Sequence, residues 1–142
     1  MIPAKLQAVL DDLAMFPDRS ERIEALIAYS EEYKLPSQEE LVRTPECQVQ
    51  GCESQVYIGS RPLGEGLEYV IAVDNPQGIS SMALAVILQT GLNGARLEEV
   101  AEVPEEVVYE IFGRELSMGK SMGLTGTVSM VKAEAAKHRK SR

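Results

Sequence analysis

Apolar residues Leu6, Val9, Leu10, Leu13 and Phe16 recur at the spacing of one helical face, and Pro17 ends the run. Asp18-Arg19-Ser20-Glu21 then reads as a capping box that opens a second helix, with Ile23, Leu26 and Ile27 on one face and an end near Leu35-Pro36. Two short helices in succession predict a helical hairpin. From 36 to 50 the pattern is polar and weak, with one turn expected over 37–42. The period then changes to two. Val56 and Ile58, and after them Leu67, Tyr69, Ile71 and Val73, alternate with their neighbours on either side of Arg61-Pro62-Leu63-Gly64-Glu65-Gly66, a run rich in turn formers. This predicts a β-hairpin, with a short third strand around 47–49. Beyond Asp74-Asn75-Pro76, the segment 80–90 is apolar nearly all round and predicts a helix covered on most sides, with Gly91 just past its end. Pro104, Glu105 and Glu106 open a helix that buries Val107, Val108, Ile111 and Phe112 before Gly113. The last helix, from about Ser121, carries Leu124, Val128, Val131 and Ala135 on one stripe. The order predicts an α+β fold: an N-terminal helical hairpin, a small antiparallel sheet, and C-terminal helices packed on one of its faces.

At 142 residues the chain reads as one domain spanning 1–142. A chain of this size buries roughly 68–70% of its unfolded surface without help from disulfides. The formal charge of −8 argues against nucleic acid as a partner, because phosphate binding needs clustered Lys and Arg. The one basic cluster is the tail Lys132, Lys137, Arg139, Lys140 and Arg142, a favourable cationic end for a helix dipole. The longest apolar run, 82–88, falls well short of the ~18 residues of a membrane span. No basic segment followed by an apolar stretch marks a signal peptide at the N-terminus. Two cysteines do not make a disulfide framework in a chain of this length, which points to a reducing, cytoplasmic setting.

Both cysteines lie in Cys47-Gln48-Val49-Gln50-Gly51-Cys52-Glu53-Ser54-Gln55-Val56-Tyr57-Ile58. Gly51 permits a positive φ, which would lift the Cys52 thiol onto a tight turn at the start of a strand. A thiolate there attacks electrophilic sulfur without a cofactor and holds it as a persulfide. The alternative is a small, buried, inert side chain. No Lys, Arg or His lies between Thr44 and Ser60, while Glu46 and Glu53 do, so activation of Cys52 has to come from residues distant in sequence or from a partner. Cys47 could resolve an adduct on Cys52 as a disulfide, share a metal, or simply pack. A structural zinc site wants four ligands, and with the only histidine, His138, in the charged tail the chain supplies two soft ones, so no metal is expected. Gly119-Lys120-Ser121 resembles the end of a phosphate-binding loop, but the first glycine of that motif is Arg114 here, and a helix, not a strand, precedes it. Lys120 would matter only if the fold carries it to the Cys52 loop. The acidic run Glu98, Glu99, Glu102, Glu105, Glu106 and Glu110 reads as solvated helix faces or as a docking surface for a basic partner.

Val49-x-Gly51-Cys52-x-Ser54-x-Val56 followed by Tyr57, together with Lys120-Ser121-x-Gly123-Leu124, resembles the SufE/CsdE family of sulfur-acceptor proteins over essentially the whole chain. The resemblance implies that Cys52 accepts persulfide sulfur from a pyridoxal-phosphate cysteine desulfurase, stimulates that enzyme, and passes the sulfur to an iron–sulfur scaffold. It implies no cofactor on this chain, a role as an accessory protein more than a stand-alone enzyme, and a thiol tucked over an apolar cavity. Val49, Gly51, Ser54 and Gln55 would form the supporting loop, with Lys120 and Cys47 as auxiliary residues. The fold implied is shared with three-cysteine cluster scaffolds, and this chain has two. Tyr57 replaces a frequent tryptophan, Cys47 a frequent asparagine, and Lys120 the usual arginine, which keeps the charge but lacks the planar fork. A cluster scaffold and a regulatory binding module are the rival readings.

Overall fold

A computed structural model describes residues 2–52 and 54–140. Among them the chain forms α1 (Ala4–Ala14), α2 (Arg19–Glu31), a 3-10 turn (Pro45–Cys47), strands β1 (Val56–Leu63) and β2 (Gly66–Val73), then α3 (Ile79–Leu92), α4 (Leu97–Ala101), α5 (Val107–Phe112) and α6 (Met118–Lys140). This is the expected α+β order, and α3 is its axis. Nine of its side-chain positions are buried, so α1, α2 and β2 can pack around it while α6 lies across β1 and α4. Shared burial of this apolar surface is the main stabilising term of the fold.

The first two helices depart from the predicted hairpin. Both pack on α3, with little contact between themselves. Arg22 joins the pieces by donating to the carbonyl oxygens of Leu13 and Phe16 at the end of α1 and of Glu110 in α5. Of the predicted face of α2 only Leu26 is buried; Ile23 and Ile27 are 46% and 40% exposed, and Phe16 after α1 is also exposed. The stripe has the right period but no neighbour covers it. Helix α2 also stops at Glu31, short of Leu35-Pro36, which frees Tyr33 to reach the sheet.

The sheet is a two-stranded antiparallel hairpin in the register Val56↔Val73 to Leu63↔Gly66. Its loop is therefore only Gly64-Glu65, with Gly64 at φ 60°, so the strands run further into the predicted turn than the Pro62-containing sequence suggests. The third strand shrinks to one bridge, Gln48 opposite Tyr57. Leu67, Tyr69, Ile71 and Val73 face the helices, while Val70 and Ala72 face Leu41 of the 36–43 loop. Arg43 folds that loop over the sheet, donating to the carbonyl oxygens of Pro36, Ser37 and Leu41 and pairing with Asp74. The outer edge of β2 is satisfied by side chains and a turn. Tyr33 Oη donates to Ile71 O and accepts from Val73 N, Asn93 Oδ1 accepts from Tyr69 N, Gln89 Nε2 donates to Tyr69 O, and Gly94 N donates to Leu67 O.

Gly91 does not end α3, which continues to Leu92. A Cβ at position 91 would stand 2.7 Å from Leu6 Cα, so the glycine is there to let α1 approach. The short α4, which the periodicity of the chain did not single out, buries Leu97 and Val100 against α6. Helix α6 begins at Met118, before the expected Ser121, because Ser117 Oγ accepts the Lys120 N–H and Ser117 O the Ser121 N–H. Lys120 thereby falls in the first turn of a long helix.

Candidate functional site

The segment between the Gln48 bridge and β1 is a loop closed at its neck by Val49 N donating to Val56 O at 2.8 Å. Val49 is buried against Gly126 of α6, where a Cβ would come within 3.0 Å of its Cγ1. Gly51 has φ 77°, as its identity leads one to expect, and Gln55 is left-handed at φ 53°. Gln55 O accepts the Asp74 N–H, which ties the loop to the end of β2. Ser54 rests on Gly78, where a Cβ would stand 2.7 Å from its hydroxyl. Cys52 is thus held between two left-handed residues, with Glu53 outside the described residues.

The thiol is half-buried and faces parts of the chain far away in sequence. Its cavity, about 360 Å³, is lined by the loop, the turn before α3, the first turn of α3 and the first two turns of α6. Asn75, Gln77, Ser80, Ser81 and Lys120 contribute polar groups, and Ile79 and Leu124 the principal apolar surface. The cavity is thus of mixed character in this chain: apolar surface from Ile79 and Leu124 sits beside the two serines that α3 places beneath the thiol. Ser81 is 7% exposed and places its hydroxyl 3.9 Å from Cys52 Sγ, the outer reach of a sulfur hydrogen bond. On the other side, a Cβ at Gly123 would lie 3.2 Å from the Cα, Cβ and Sγ of Cys52, a tight approach that glycine relieves where α6 passes the loop.

The electrostatics follow from the same placement. Helices α3 and α6 both present their N-termini, and α3 has no side-chain cap, so the partial positive ends of two helices border the sulfur. Lys120 is exposed at the rim, and no ion pair engages it among the described residues. The positive charge missing from the local sequence is brought to the cavity from a position some seventy residues on. Lys120 also borders a wider groove of about 660 Å³, floored by Leu26, Ile27 and Phe112, which meets the thiol cavity at Ile79 and Ser80.

Cys47 has a different setting. It closes the 3-10 turn, accepts a hydrogen bond from Thr44 Oγ1 at 3.3 Å, and does not line the cavity. Both cysteines are free thiols. Among the described residues no cluster of three or more His, Cys, Asp or Glu could hold a metal ion, and no helix is long and apolar enough to cross a membrane. The acidic run is spread over α4, α5 and their connections, with Glu98 paired to Arg96 and Glu105 to Lys132, and none of it lines the cavity. Ser81, Asn75 and Gln77 carried no sequence signal, since a serine opening a helix and polar residues in a turn read as capping and solvation. Gly123 was visible only as a member of the Lys120-Ser121-x-Gly123-Leu124 run.

Comparison with known proteins agrees with this architecture. Residues 7–135 match the family described as SufE, Fe-S metabolism associated domain. An uncharacterised SufE-like protein of Rhizobium meliloti is 26% identical over 141 residues, covering 92% of this chain and 94% of its own. Another, from Rhizobium etli, is 29% identical over 139 residues, covering 93% and 90%. The solution structure of a hypothetical protein from Thermus thermophilus shares the fold, with a TM-score of 0.70 across 99% of both chains at 20% identity. With a family match that runs from α1 into α6, the chain belongs to the SufE family, whose domain is associated with iron–sulfur metabolism.

Proposed function

We propose that this protein is a sulfur acceptor that takes a sulfane sulfur from the persulfide of a cysteine desulfurase onto Cys52 and hands it on for iron–sulfur cluster assembly. The observation that carries the reading is the setting of Cys52: a thiol on a strained loop, in a cavity with room for another atom, beside Lys120 and two helix N-termini. In the transfer, the Cys52 thiolate attacks the outer sulfur of the donor persulfide. A Cys52 S–S bond forms, the donor's S–S bond breaks, and the donor sulfur leaves with the electron pair as a thiolate, with no external oxidant or reductant. Lys120 and the helix ends stabilise the resulting sulfur anion. Gly51 and Gln55 set the direction of the thiol, and Val49 and Ser54 anchor the loop. The pyridoxal phosphate that generates the sulfur belongs to the partner, and the cluster is the destination of the sulfur.

The test is intact-protein and peptide mass spectrometry after incubation with a SufS-type cysteine desulfurase and cysteine. The reading expects an adduct of about 32 Da, one sulfur atom, on Cys52. An adduct confined to Cys47, or none at all, overturns it.

A further inference from the structure

We infer that Ser81 is a positioning residue for the transferred sulfur: its hydroxyl holds Cys52 Sγ inward and becomes the donor to the outer sulfur once Cys52 carries a second one. This rests on the sulfur-acceptor reading above and adds a residue that neither the motif nor the family match assigns.

Among the described residues the buried serine and threonine side chains are Ser30, Ser81 and Thr127. Ser30 donates to Ile27 O and Thr127 to Gly123 O, the usual outlet for a hydroxyl within a helix. Ser81 does not bond back to its own helix; its only hydroxyl partner among the described residues is the Cys52 sulfur. A buried hydroxyl aimed at a thiol across a gap of 3.9 Å is loosely satisfied in the resting state. A second sulfur, bonded to Sγ at about 2.05 Å, moves the acceptor into the cavity and makes it an anion. Hydrogen bonds to ionised acceptors are shorter and roughly twice as strong as neutral ones. The contact that is slack for the thiol therefore tightens for the persulfide.

The opposite wall restricts the alternatives. Gly123 is in close contact with Cys52, so the added sulfur has little space directly against Gly123. The open directions are the cavity, past Ser81, or outward to solvent. Ser81 biases the pair inward and slows attack by reagents from outside, and no proton changes owner in the process.

The experiment uses Cys47→Ser protein so that one thiol reports, loaded with inorganic polysulfide so that no desulfurase is needed. Ser81→Ala and Ser81→Thr are compared with the parent by mass spectrometry of persulfide decay in dithiothreitol and by the pH profile of Cys52 alkylation with iodoacetamide. Ser81→Ala is expected to shorten the persulfide lifetime and raise alkylation by roughly threefold to tenfold, the size of one lost hydrogen bond. It is also expected to displace the alkylation profile along the pH axis, and Ser81→Thr, which keeps the hydroxyl, to restore most of both. Equal lifetimes and superimposable profiles for parent and Ser81→Ala overturn the inference, as does identical behaviour of the Ala and Thr variants. An absence of any polysulfide adduct on Cys52 also overturns it. A Ser81-dependent adduct from polysulfide with no uptake from desulfurase refutes the choice of donor and leaves the role of Ser81 standing.

Discussion

Cys47 on its turn and Cys52 on its loop lie five residues apart in sequence and in different chemical settings. Cys47 bonds to Thr44, its neighbour in the same turn, and its surroundings are decided by the local chain. Cys52 faces Ser81 of α3 and Gly123 and Lys120 of α6, and its surroundings are decided by packing. Both are half-buried free thiols, so exposure does not distinguish them. What distinguishes them is whether elements from elsewhere in the fold converge on the sulfur. A reactive thiol in a protein this acidic needs such convergence, since its sequence neighbours bring only negative charge.

The contrast is testable by separating the two sites. Cys52→Ser is expected to abolish stimulation of a cysteine desulfurase, measured as sulfide release, while Cys47→Ser retains most of it; equal losses would erase the distinction. Gly123→Ala comes next. Its Cβ would stand 3.2 Å from Cys52, so the loop has to give by a few tenths of an ångström, and the expected change in thermal or denaturant unfolding is within about 1 kcal/mol because alanine also favours the helix. Alkylation should change at Cys52 alone, and a parallel change at Cys47 would mean that the two segments move together. Lys120→Glu should slow the reaction of Cys52 with a dianionic disulfide reagent by roughly twofold to fivefold at low salt, with the difference fading as salt rises and Cys47 unaffected. A salt-independent effect would remove Lys120 from the electrostatics of the site.

The smallest effect is expected at Tyr69, away from both thiols. Its hydroxyl is buried with no hydrogen-bond partner among the described residues, and burial together with the Glu134 carboxylate pushes its pKa up to about 12. The folded value lies above the ordinary 10.0, so the neutral phenol is favoured on folding. That contribution is complete below pH 10.0 and is lost as the pH rises through about 12. Tyr69→Phe should leave both thiols unchanged, match or slightly exceed the parent in stability at neutral pH, and lose less stability in alkali. Burial also raises Tyr29 and Tyr33, so part of the alkaline slope remains. A marked loss of neutral stability would mean that the hydroxyl has a partner after all.

Local periodicity was enough to read α1, the two strands, α3, the core stripe of α6 and the left-handed Gly51, since each is a short-range pattern with its own signature. It misjudged Ile23 and Ile27, because a helical stripe shows only that one face is apolar, and whether a neighbour covers that face is a tertiary fact. It took Gly91 for a terminator, since a glycine that ends a helix and one that admits a crossing helix look alike in one dimension. The Cys52 loop was legible, and its opposite wall was not. Ser81 and Gly123 come within reach of the sulfur only when α3 and α6 dock, and no local preference distinguishes them from other small residues.

One consequence lies away from the thiol. The rim of β2 that would otherwise accept a further strand is already occupied: Tyr33, Asn93, Gln89 and Gly94 take five of its main-chain groups. An extended peptide would have to displace all of them before it could pair, so β-augmentation along β2 is closed to partners and to other copies of the chain alike. Recognition on this side of the molecule has to read helices and loops, and the small sheet, for all its exposed hairpin tip, offers nothing for aggregation to template on along that edge.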